Sequence, residues 1–61
     1  MTEYEGLKKA RALLLRHKLK QGKDMLRKID NPSADTIMAV EAKDRDTMLG
    51  WIDGRLRGYE G

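Results

Sequence analysis

Apolar residues return at steps of three and four along both halves of the chain, and nowhere do they alternate one by one. In the first half Ala12, Leu15, Leu19, Gly22, Leu26 and Ile29 follow the spacing of one helical seam. A second set, Leu7, Ala10, Leu14 and Met25, lies beside it. The second half carries Ala34, Ile37, Met38, Val40, Met48, Leu49, Trp51, Ile52, Leu56 and Tyr59, again more than one seam. Between the halves stands the only proline, in Asp30-Asn31-Pro32-Ser33. Asn31 or Ser33 can cap a helix start, Pro32 suits a first turn, and Asp35 complements the dipole there. The pattern predicts an all-α fold, with one helix over about residues 3–29 and a second over about 33–57.

A short connection makes two such helices lie antiparallel, as a hairpin within a single domain spanning 1–61. Each helix then has more apolar surface than its one neighbour can cover. A second copy of the chain is the simplest cover, so the hairpin is expected to dimerise into a four-helix bundle. Leu7, Leu14, Leu15, Leu19, Met25, Met48 and Ile52 are the expected oligomer interface. At the level of fold alone this architecture resembles the Rop family of helical hairpins, which dimerise and bind RNA. No residue motif carries that resemblance further.

Length and composition sharpen the expectation. Sixty-one residues bury a small core, and such chains usually need a disulfide, a metal or self-association. There is no Cys, and a lone His17 builds no zinc site, so self-association remains. The beginning of the chain is acidic with no long apolar run behind it, unlike a signal peptide, and the run Ala12–Leu15 is far below the ~20 residues of a membrane span. A cytoplasmic protein with no membrane contact is the expectation.

Charge is unevenly spread. Residues 1–30 hold nine Lys/Arg against four acids, and residues 31–61 hold four against six. Lys9, Arg16, Lys20, Lys23 and Arg27 project onto one edge of a continuous helix and would form a basic stripe ~27 Å long. Such a stripe can engage several phosphates of a nucleic acid, although a solvated helix face looks the same. No aromatic residue interleaves it, so base stacking has no support. Arg11 and Lys18 interrupt the apolar face of the first helix, and Glu41, Asp44 and Arg45 interrupt that of the second. In an antiparallel hairpin Lys18 comes level with residues near 45. It is expected to pair with Glu41 or Asp44 in a buried polar layer that fixes register, whereas Arg11 is expected to reach out to water. Gly22 comes level with Ala42, which permits close helix approach there.

The tail carries Gly50, Gly54 and Gly58 at four-residue steps, one bare strip on a helix. Close packing against another backbone is expected at Gly50 and Gly54. Beside the strip, Trp51, Arg55 and Tyr59 are the expected anchors for a protein partner.

No catalytic set is visible. His17 has no nucleophile, carboxylate pair or second histidine at a useful spacing. Glu41, Asp44 and Asp46 alternate with Lys43 and Arg45 and read as a charged helix surface, not a metal cluster. No phosphate-cradling loop or cofactor motif is present. The sequence therefore points to a non-enzymatic interaction module without cofactor or metal, a regulator or inhibitor that docks on a larger protein. Small, cysteine-free, charged chains of this sort are frequent among bacteriophage accessory proteins, which makes a phage origin a reasonable expectation. One alternative is a hairpin that binds nucleic acid through the basic stripe. Another is an oligomeric sponge in which Arg55, Arg57 and Trp51 grip a small anionic molecule.

Overall fold

The computed structural model describes residues 1–61 and contains four helices and no strand: α1 (Glu3–Leu15), α2 (Leu19–Arg27), α3 (Ala34–Glu41) and α4 (Arg45–Glu60). Each of the two long helices expected from the sequence is broken once. The two-helix hairpin is thereby corrected to four shorter helices in a single chain.

The first break has a clear cause. Leu7, Ala10 and Leu14 are fully buried in α1, and Gly22 and Leu26 are buried in α2. On one straight helix these two sets would point about 100° apart, because each residue turns the chain by about 100°. They face one core only if the helix stops and folds back between them. It stops in a Schellman motif: the His17 N–H donates to the Leu14 carbonyl at 2.9 Å, and the Lys18 N–H donates to the Leu13 carbonyl at 3.0 Å. His17 holds the left-handed position at φ 62°, where glycine is usual. Close contact then joins the helices. A Cβ on Gly22 would lie 2.8 Å from Leu14 Cδ2, and one on Gly6 would overlap Ile29 Cγ1. Gly22 therefore permits close approach to Leu14, not to Ala42.

The second break follows the same logic. Thr36 and Ala39 face the core in α3, and Met48, Ile52 and Leu56 face it in α4. On an unbroken helix these sets would lie on nearly opposite sides. The chain leaves the helix at Ala42 and restarts at Asp44, whose carboxylate accepts from the Thr47 N–H at 2.9 Å and from the Thr47 hydroxyl at 2.8 Å. Those two bonds, the backbone one first, hold the Asp44 carboxyl below its usual range. Asp44 is thus an exposed helix cap, and Lys18 lies exposed in the α1–α2 turn, so the expected polar layer is not formed. Arg45, which interrupts the apolar arc of the second half, reaches the Leu14 carbonyl at 3.5 Å.

The remaining junction is the expected turn, with Ser33 as the cap and Pro32 just before it, outside the first helical turn. Asn31 takes a left-handed φ of 51°, and the Ser33 hydroxyl caps α3 by accepting from the Thr36 N–H. At the start of α1, Thr2 and Glu5 form the Thr-x-x-Glu cap, with the Glu5 N–H donating to Thr2 Oγ1 at 3.3 Å.

Neighbouring helices close a ring: α1 packs on α2 and α4, and α3 packs on α4 and, least extensively, on α2. Contacts of Tyr4 with Glu60 and of Arg11 with Asp53 make α1 antiparallel to α4. Arg11 reaches the surface as expected, and there its guanidinium bonds Asp53 at 2.9 Å. The core joins Leu7, Ala10, Leu14, Leu26, Ile29, Ala39, Met48, Ile52 and Leu56.

Four of the residues expected to form an oligomer interface are therefore used inside one chain. Leu7, Leu14, Met48 and Ile52 are fully buried, because the breaks let apolar residues on both sides of each turn face one core. Met25 is partly buried against the same core, and only Leu15 and Leu19 remain exposed. The chain's accessible surface of 3998 Å² is close to the ~4,000 Å² expected of one compactly folded chain of this mass. No helix is long and apolar enough to cross a membrane.

Candidate functional site

Three surfaces and one buried cluster carry the side chains of interest. The first surface is a groove where α2 and α3 pack least tightly. It encloses about 260 Å³ and is lined by Leu26, Arg27, Ile29, Pro32, Ile37, Val40 and Glu41. Leu26 and Ile29 form its buried floor. Ile37 stands at the wall, 47% exposed in spite of its fully apolar side chain. Arg27 lies on the α2 side and Glu41 on the α3 side. The groove runs between the last turn of α2 and the face of α3 that carries Ile37, Val40 and Glu41, with Pro32 of the connecting loop in its lining.

The second surface is the basic edge of α1 and α2. Residues 6–23 contain no Asp or Glu. All the ion pairs that involve side-chain cations use arginines: Arg11, Arg27, Arg45 and Arg55. Every lysine is left outside an ion pair, with Lys8 resting over the Tyr4 ring at 4.5 Å. The expected straight stripe is not formed, however. Lys9 sits on α1 and Arg16 at its C-cap, while Lys20, Lys23 and Arg27 sit on α2, which runs back the other way. The helix break at His17 turns one ~27 Å row into two short ones. Arg27 is also partly neutralised by Asp24 at 3.1 Å.

The third surface is the outer face of α4. A Cβ added at Gly50, Gly54 or Gly58 would meet nothing within 4 Å. The close packing expected at Gly50 and Gly54 therefore does not occur within the chain: these glycines point away from the core formed by Met48, Ile52 and Leu56. Trp51 lies beside the strip and is partly exposed. The expected partner-binding set is split, because Arg55 and Tyr59 turn away from the glycines toward α1.

There they meet Glu3, the one buried carboxylate. Its Oε1 accepts from Arg55 Nε at 2.8 Å and from the Tyr59 hydroxyl at 2.7 Å. Its Oε2 accepts from the Ser33 N–H at 2.6 Å and from the Thr36 hydroxyl at 2.8 Å. Burial alone would raise the carboxyl pKa. The four donors outweigh it, with Ser33 first and then Arg55, Tyr59 and Thr36, and hold the group well below the usual carboxylate range. The bond to Glu3 in turn raises the pKa of both Arg55 and Tyr59, with burial a further cause for Tyr59. Arg55 also lies 5.0 Å from the centroid of the Tyr59 ring, and Tyr59 leans on Tyr4 at 5.3 Å.

Sequence reasoning did not single out Glu3, although a signal existed. Glu3 stands four residues before Leu7 and seven before Ala10, in step with the buried set of α1. An acid on a core stripe demands partners. No known protein family, curated protein or solved structure matches the chain.

Proposed function

We propose that this chain is a small, non-enzymatic interaction module, a regulator or inhibitor that docks on a larger protein through the α2–α3 groove. The observation that carries the reading is the groove itself. Of the six large apolar side chains left exposed, Leu15, Leu19, Ile37, Met38, Trp51 and Tyr59, Ile37 alone lines a groove, above an apolar floor of Leu26 and Ile29. The groove's 260 Å³ is below the ~300–1,000 Å³ of most ligand pockets. It suits the apolar anchors of a partner helix better than a whole cofactor. The basic residues of α2 beside it favour a partner segment with an acidic flank.

The test compares baits in affinity capture from a host lysate, with and without nuclease. The wild-type chain should retain one stoichiometric protein, Ile37→Glu should lose it, and Lys20→Glu with Lys23→Glu should only weaken it. Retention of the same protein by Ile37→Glu would refute the groove as the contact. Amide-shift mapping by NMR with the captured partner would locate the contact directly, and sedimentation would separate it from self-association.

A second reading, nucleic-acid backbone binding, is favoured by one observation: the acid-free stretch 6–23 and its lysines without ion pairs. It predicts steep loss of affinity for duplex as salt rises, and abolition by the double lysine variant. The small-anion reading is weakened, since Arg55 is already engaged by Glu3.

A further inference from the structure

The four donors around Glu3 all belong to the second half of the chain, while the carboxylate comes from the first. Ser33 and Thr36 lie at the start of α3, and Arg55 and Tyr59 lie toward the end of α4. These donors are oriented by contacts of their own. The Ser33 hydroxyl caps the Thr36 N–H at 3.4 Å, and Arg55 rests against the Tyr59 ring at 5.0 Å. Thr36 is 1% exposed, so its hydroxyl depends on partners inside the chain, donating to Glu3 at 2.8 Å and accepting from the Ser33 hydroxyl at 3.4 Å. Two donors meet each oxygen of one planar group, and one donor is a guanidinium. That is the coordination a carboxylate receptor uses.

We infer that Ser33, Thr36, Arg55 and Tyr59 form a carboxylate-binding site that the chain's own Glu3 occupies, and that the site takes a carboxylate from outside the chain when the Glu3 carboxylate is removed. The covalent tether gives Glu3 a high effective concentration, so the wild-type site is filled internally. Truncation at residue 3 empties the site and leaves a cavity the size of the lost side chain. The inference is independent of the α2–α3 groove, whose lining includes none of these residues.

The test is chemical rescue of Glu3→Ala at neutral pH, read by thermal unfolding. Propionate supplies the missing CH2–carboxylate, with one further methyl group, as a free anion, and N-acetylglutamate amide presents the same group as an acidic residue of a peptide would. Sodium chloride at equal ionic strength is the control. Either carboxylate should raise the Tm of Glu3→Ala saturably, by roughly 6–11 °C at ten times its Kd. Neither should raise that of the wild type beyond the chloride control. Glu3→Ala combined with Arg55→Ala should lose the response. A stronger effect of the amide assigns the site to acidic peptide residues, and a stronger effect of propionate assigns it to small free carboxylates. If Glu3→Ala is unfolded in chloride, refolding by carboxylate supports the site. Equal behaviour in carboxylate and chloride, folded or unfolded, overturns it.

Discussion

The bare face of α4 supports a prediction whose sign is unusual. Glycine inside a helix is less favourable than alanine by about 0.8–1.0 kcal/mol, because it loses more backbone freedom on folding. At Gly50 and Gly54 an added methyl group meets nothing within 4 Å, so no steric cost offsets that gain. The double variant Gly50→Ala, Gly54→Ala should therefore be more stable by about 2 kcal/mol. For a domain of this size that is a rise in Tm of roughly 8–16 °C. The same substitution at Gly6 should do the reverse, since the new Cβ would overlap Ile29, a side chain only 6% exposed in the core. Overpacking of that kind costs about 1–3 kcal/mol or more. Circular dichroism melts and urea unfolding of the three proteins decide the matter. A fall in Tm for the α4 double variant would refute the reasoning. It would mean that a second backbone covers the strip in solution, and sedimentation would then reveal a dimer.

Other consequences can be checked on the same preparations. Glu3 has a folded-state pKa below its unfolded value near 4.5, so its stabilisation is present above about pH 4.5 and is lost as the pH falls toward the folded value. The urea midpoint of the wild type should drop between about pH 5 and pH 2, and Glu3→Gln should show a flatter acid limb. At pH 7 that variant should lose about 3–5 kcal/mol, comparable with the whole stability of ~3–9 kcal/mol expected for such a chain. His17→Gly should be neutral or stabilising by up to about 1 kcal/mol, while His17→Ile should destabilise, as read by urea unfolding; loss of stability with glycine would show that the left-handed turn is not formed. Ser33→Ala should cost about 1 kcal/mol through the lost cap, and an unchanged melt would contradict the Ser33–Thr36 bond.

The helical class and the turn at Asn31-Pro32-Ser33 were legible because periodicity and a proline are local signals. The antiparallel register of α1 against α4 was legible too, since it follows from where the central turn lies. The two inner breaks were harder to see. Leu15-Arg16-His17-Lys18 contains no glycine or proline, and a left-handed histidine costs only about 1–2 kcal/mol, which burial of two leucine side chains outweighs. The visible clue was the presence of two apolar sets. They were read as surplus surface for a second chain, and they also mark a change of phase within this one. Asp44 was misread for a related reason. A charge in the middle of an apolar arc was taken as an interrupted helix, whereas Asp44-x-x-Thr47 begins a new one. The Glu3 cluster depends on residues up to 56 positions apart, and no local pattern reports a contact of that range. The α2–α3 groove was illegible because it depends on how loosely two short helices pack.

The Glu3 contacts also bear on the order in which the chain folds. Their partners lie 30, 33, 52 and 56 residues away in sequence, whereas the α1–α2 and α3–α4 pairs close through turns of three residues. Short loops close in well under a microsecond, and long ones must await them. The two helix pairs should thus form first as separate halves, and the carboxylate should join them after the transition state. Substituting Glu3 would then leave the folding rate nearly unchanged and express its cost as faster unfolding. On that account Glu3 governs how long the native state lasts and has little influence on how quickly it is reached.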